Sequence, residues 1–171
     1  MERFIKYYVK QGMDLWSWRF ILNYTMEKTL FVEFNQVTRN PMPKHLQWME
    51  KHSVNSISTF KIYKQGSQQR FELVPVMKEY LYRQYFDDWK DGHFTDLSLL
   101  DKEGKELLTV ISSKNYIIML LTDQECKMLE GKDIKFDCEW SSLEDAEKFY
   151  SRRDKKSMWS SVITLLEIFS D

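Results

Sequence analysis

Apolar and polar positions alternate along several short runs of the chain, and each run stops at a polar turn. "TLFVEFNQV" at 29–37 sets Leu30, Val32 and Phe34 against Phe31, Glu33 and Asn35, the period-two signature of a strand. "ISTFKIY" and "RFELV" flank Gly66 and read as a hairpin, and Gly104 joins "FTDLSLL" to "LLTVISS" in the same way. "NYIIMLL" follows after a short polar link, so a third strand of a meander is expected there. Its unbroken apolar run suggests cover on both faces and a place at the centre of the sheet. "DIKFDCEW" alternates again, with Ile134, Phe136 and Cys138 on one side, as a half-buried strand near an edge.

Helical spacing marks the remaining segments. "ERFIKYYVK" and "DLWSWRFILNYTM" can each be helical, separated by Gly12 and with Asp14 placed to cap the second. Pro43 precedes a short helix, "KHLQWMEKH". Pro75 opens a helix whose apolar face holds Val76, Met77, Tyr80, Leu81 and Tyr85, with Tyr82, Phe86 and Trp89 on an adjacent strip and Gly92 at its end. Thr122 caps a helix that ends near Gly131. Ser141 and Glu144 form a capping box ahead of two helices, or one kinked helix, with a final strand around Val162 and Ile163 as the alternative. The sum is a single α+β domain over residues 1–171: a mixed, mainly antiparallel sheet with helices at both ends of the sequence.

Composition narrows the function. At 171 residues, 43% apolar and 30% charged, the chain suits one folded domain with its own core. The 25 basic and 26 acidic side chains leave a net charge of −1, which removes the bulk attraction to phosphate on which non-specific nucleic-acid binders rely. Charges at Glu2, Arg3 and Lys6 exclude a signal-peptide core, and "YIIMLLT" is too short to cross a bilayer, so a cytoplasmic protein without membrane contact is expected. Cys126 and Cys138 belong to no CxxC pair and read as free thiols in a reducing compartment.

Candidate chemistry concentrates in "YLYRQYFDDWKDGHF" at 80–94. The expected partner-binding residues are Tyr82, Phe86, Asp87, Asp88, Trp89, Asp91 and His93, since aromatics dominate interface hot spots and carboxylates suit a basic partner. Asp87, Asp88, Asp91 and Asp96 depart from the calcium-loop pattern, and no metal or cofactor is expected. His45 and His52 share a face if their segment is α-helical, but lack zinc spacing. Two Glu-Gly-Lys strings, at 103–105 and 130–132, fall in turns rather than on the rigid strand that nuclease chemistry needs. "SRRDKKSMW" offers Arg152, Arg153, Lys155, Lys156 and Trp159 for contact with nucleic acid or a protein, although a solvated helix face explains it as well.

No phosphate loop, dinucleotide fingerprint or nucleophile elbow is present. The expectation is therefore a small protein-binding module whose partner is another protein with a basic surface, with an immunity-type inhibitor of a basic toxin or nuclease as its narrower form. The alternative is a metal-dependent enzyme or nucleic-acid-processing subunit with a site assembled around residues 87–96.

Overall fold

A computed structural model describes residues 5–36, 41–55, 67–90 and 92–142. The chain divides into two units, Met1–Glu139 and Trp140–Asp171. The first carries nearly all of the described structure. The expected single domain over 1–171 includes a C-terminal part, with its helices or final strand, that lies outside the described residues, as does the first half of the hairpin at 57–63.

Eight strands form one sheet in the order β3-β4-β2-β5-β6-β7-β1-β8. They are β1 (Ile5–Gln11), β2 (Phe31–Gln36), β3 (Ser53–Val54), β4 (Ser67–Glu72), β5 (Thr95–Leu100), β6 (Glu106–Ile111), β7 (Tyr116–Thr122) and β8 (Cys138–Trp140). Every pairing with a described register is antiparallel. Three α-helices, α1 (Leu15–Met26), α2 (Pro75–Arg83) and α3 (Asp123–Glu130), join three 3-10 turns at Lys44–His52, Phe86–Trp89 and Ser112–Lys114. The α+β architecture read from the sequence is what the structure shows. No helix among the described residues is long and apolar enough to cross a membrane.

Three details of the sheet differ from the sequence reading. The N-terminal segment is strand β1, not a helix: Tyr8 and Val9 are buried, and its residues pair with β7 from Ile5↔Thr122 to Gln11↔Tyr116. Spacing alone fits both forms there, and the long apolar edge of β7 selects the strand. β7 itself lies between β6 and β1, and the middle of the sheet belongs to β5 and β6. The edge strand β8 is shorter than its alternating run because Ile134 is fully buried and its N–H bonds Leu129 O at the end of α3, which draws the chain off the sheet.

The local signals that did hold have visible causes. Asp14 caps α1 by accepting from Ser17 N at 2.9 Å, and Thr122 caps α3 while Glu125 reaches back to Thr122 N at 2.8 Å. Gly104 turns β5 into β6 at φ +80, a left-handed backbone that glycine adopts without strain.

The helices pack on one face of the sheet. Trp18, Ile21 and Leu22 of α1, Met77 and Leu81 of α2, and Leu129 of α3 meet Val32, Phe34, Leu97, Leu99 and Val110 from the strands. The opposite face of the same strands is also buried and carries polar side chains, among them Glu33, Asn35, Arg70, Ser98 and Thr109.

Candidate functional site

The helix opened by Pro75 does not run to Gly92. It ends at Arg83, and Gln84 turns to ψ 144. Tyr85 is extended, and Phe86–Trp89 forms a separate 3-10 turn. The reason lies in packing: an unbroken helix would place Leu81 and Phe86 about 140° apart around its axis, and the break lets both face the core. Trp18 of α1 secures the turn by donating Nε1–H to Gln84 O at 3.2 Å, with its ring on Phe86 at 5.4 Å. Trp89 then enters beside Phe34 at 5.5 Å and Tyr80 at 6.3 Å.

Asp87 and Asp88 therefore begin a turn rather than end an α-helix. Asp88 Oδ2 accepts Tyr85 N–H at 2.7 Å, and Asp87 pairs with Lys90. Acidic groups at this end complement the free N–H groups, which removes the dipole conflict that a single long helix would create.

The predicted residues separate into two sets. Phe86 and Trp89 are 5% and 2% exposed and belong to the core, so they present no contact surface in this conformation. Tyr82, Asp87 and Asp88 lie outside. His93 is half-buried with its ring edge-on to Phe94 at 4.8 Å. Asp91 and the basic run with Arg152, Arg153, Lys155, Lys156 and Trp159 lie outside the described residues.

Sequence reasoning missed a second contributor to this surface. Trp16 is 54% exposed and stacks on Phe20 at 5.5 Å, and one turn on from Trp16 the Arg19 guanidinium sits over the Tyr82 ring at 5.0 Å. Tyr85, 55% exposed, follows in the chain after the Trp18 contact. Trp16 and Arg19 of α1, neighbours one turn apart, and Tyr82 of α2 thus form an outer strip, with half-buried Phe20 under Trp16 where it reaches the core. The signal was present: the buried positions of α1 fall at 17, 18, 21, 22, 25 and 26, and Trp16 stands off that stripe.

Asp96 goes elsewhere. At φ +52 it turns its carboxylate onto Ser112 N at 2.8 Å, Ser112 Oγ at 2.6 Å and Asn35 Nδ2 at 3.0 Å. It ties the first residue of the turn before β7 to β2, which is a structural duty. Among the described residues no group of three His, Cys, Asp or Glu side chains is placed to hold a metal ion. His45 is exposed and His52 half-buried beside Trp48, and because their segment is a 3-10 helix, positions seven apart fall about 120° apart rather than on one face. Cys126 is buried and Cys138 half-buried, and neither forms a disulfide among the described residues.

Comparison with models of known protein families, with curated proteins and with solved structures finds no match to this chain.

Proposed function

We propose that the chain is a protein-binding module that docks through the outer strip of α1 and α2, with Trp16, Arg19 and Tyr82 at its centre and Tyr85, Asp87 and Asp88 beside it. The observation that carries this reading is the division of aromatics: the fold buries Trp18, Phe86 and Trp89 nearly completely yet leaves Trp16, Tyr82 and Tyr85 between 38% and 55% exposed. Large aromatics and arginine supply most of the binding energy at protein interfaces, and exposed rings beside an arginine suit such a contact surface. The acid pair favours a partner with a basic surface, by steering encounter more than by adding affinity. An inhibitor of a basic toxin or nuclease is the narrower form of the same reading, supported by that pairing of carboxylates with aromatics.

The test is capture of partners from the source lysate by the tagged full-length chain, followed by binding kinetics on whatever protein co-elutes. One stoichiometric protein is expected. Trp16→Ala should raise its off-rate by about tenfold or more, and Asp87→Lys with Asp88→Lys should slow its association and flatten the salt dependence. A chain that elutes alone, or a partner whose kinetics ignore all three substitutions, would sink the assignment.

A further inference from the structure

The sheet opens near the start of β6. Its described pairing with β7 ends at Leu108↔Met119, although β7 runs on to Thr122 in register with β1. On its other side β6 shifts register against β5 between Leu99 and Leu100, where Leu100 comes to lie opposite Glu106. Such irregularities bend a strand and re-aim its side chains, and they are concentrated beside binding sites. Here the opening is a cleft of about 250 Å³ between the end of α1, the start of α3 and the β5–β6 turn. An apolar cavity of roughly 150 Å³ suffices for benzene, and small-molecule sites begin near 300 Å³, so the space suits one ring with a short tail.

The walls are apolar, from Ile5, Leu107, Leu120 and Leu121, and Ile5 is 46% exposed. Charged groups of both signs stand at the rim: Lys28 and Glu125 on one side, Asp101 and Lys105 on the other. Their hydrogen bonds break the symmetry between the signs. Glu125 is fully used by the protein: Oε2 accepts from Thr122 N at 2.8 Å and Thr122 Oγ1 at 2.9 Å, and Oε1 accepts from Tyr24 Oη at 3.0 Å and from Lys28. Asp101 Oδ1 takes the backbone N–H groups of Glu103 and Lys105, each at 2.9 Å. On the cationic side, Lys28 spends two donors, on Tyr24 and Glu125, sits 3.8 Å from the Tyr24 ring centroid, and has a third N–H with no hydrogen-bond partner among the described residues. The Lys105 ammonium has no hydrogen bond or ion pair among the described residues.

We propose that this cleft binds a small monocarboxylate with an apolar body, its body against Ile5, Leu107 and Leu120 and its carboxylate between Lys28 and Lys105. The site is separate from the outer strip of α1 and α2 and does not depend on the docking reading. A neutral ligand would gain the walls alone. A cationic one would face two ammonium groups, with one carboxylate already saturated and the other partly used.

The experiment is an NMR titration of the isotopically labelled full-length chain with three ligands of one shape: 3-phenylpropionate, 3-phenyl-1-propanol and 3-phenylpropylamine. Saturable shifts at Leu107 and Leu120–Thr122 are expected for the carboxylate, with affinity about tenfold above the alcohol, as a charge-assisted hydrogen bond gives, and with the amine weakest. Lys105→Glu should cost the carboxylate about tenfold while leaving the alcohol unchanged, and the retained spectrum of the rest of the chain reports an intact fold. Equal affinity for the carboxylate and the alcohol, preference for the amine, shifts centred elsewhere, or no saturation by about 20 mM would each overturn the proposal.

Discussion

Strand β2 shows two kinds of interior built by neighbouring residues. On the helix face, Phe34 lies 4.8 Å from Phe94, 5.5 Å from Trp89 and 6.0 Å from Phe71 in one aromatic cluster. On the other face, Glu33 is paired with Arg70, whose Nε donates to Oε2 at 3.0 Å with both side chains no more than 4% exposed, while Asn35 bonds Asp96 and Ser98 meets Thr109 at 3.3 Å. The aromatic side holds by contact area, which degrades by degrees as volume is removed. The polar side holds by paired charges and hydrogen bonds, so removing one partner costs more than removing both. Period-two alternation places these two logics one residue apart.

Substitutions should separate them. The largest effect is expected from Trp89→Ala, about 3–5 kcal/mol of stability in urea unfolding, because the cavity opens among rings that cannot close over it. Arg70→Ala should cost about 3 kcal/mol by leaving Glu33 charged in the interior, whereas replacing the pair together, Glu33→Leu with Arg70→Met, should cost less than the single change. A double variant weaker than Arg70→Ala would show that the pair holds the β2–β4 register (Glu33↔Arg70) rather than merely neutralising itself. Asp96→Ala is expected to cost about 2 kcal/mol through its lost bonds to Ser112 and Asn35 and its left-handed backbone, and Asp96→Asn, which tolerates that backbone and keeps an acceptor, should recover much of it.

Smaller effects follow at the edges. Glu125→Gln should cost about 1 kcal/mol, because Gln still closes the capping box of α3 but the ion pair with Lys28 is lost. Burial alone would raise the Glu125 pKa, but Lys28, Thr122 and Tyr24 outweigh it and bring the group down to about 2 from an ordinary 4.5. Its contribution is therefore complete above pH 4.5 and is lost as pH falls toward 2, where protons enter the folded state last. Wild-type stability should drop more steeply across that interval than that of the Gln variant, as thermal unfolding at stepped pH would show. Trp16→Ala should change stability by less than about 0.5 kcal/mol, since its ring faces outward; a larger loss in calorimetry would place it in the core after all.

Local chemistry was legible wherever one element decided the matter alone. Asp14 and Thr122 announce their helices because a cap needs only the next three residues, and Gly104 announces its turn because only the backbone there is at issue. The alternation of β2, β5 and β6 survives translation into the fold for the same reason, since period and pleat coincide. These signals are enough to establish an antiparallel sheet with helices packed on it.

Choices between equally periodic forms were made only by distant partners. Residues 5–11 fit a helix or a strand, and β7 resolves them. Residues 75–91 fit one helix, and the need to bury both Leu81 and Phe86, with Trp18 holding Gln84, breaks it. The candidate surface depended on that break, for it sends Phe86 and Trp89 inward while Tyr85 and Tyr82, with Arg19 over its ring, stay outside. Asp96, counted with its acidic neighbours along the chain, is committed to Ser112 and Asn35 in space. The sequence by itself determined the capped helices α1 and α3, the alternating strands β2, β5 and β6 and the turn at Gly104, because those depend on neighbours a few residues away. Only the tertiary structure decided which aromatics and carboxylates remain exposed, because burial is set by side chains that the chain brings together from far apart.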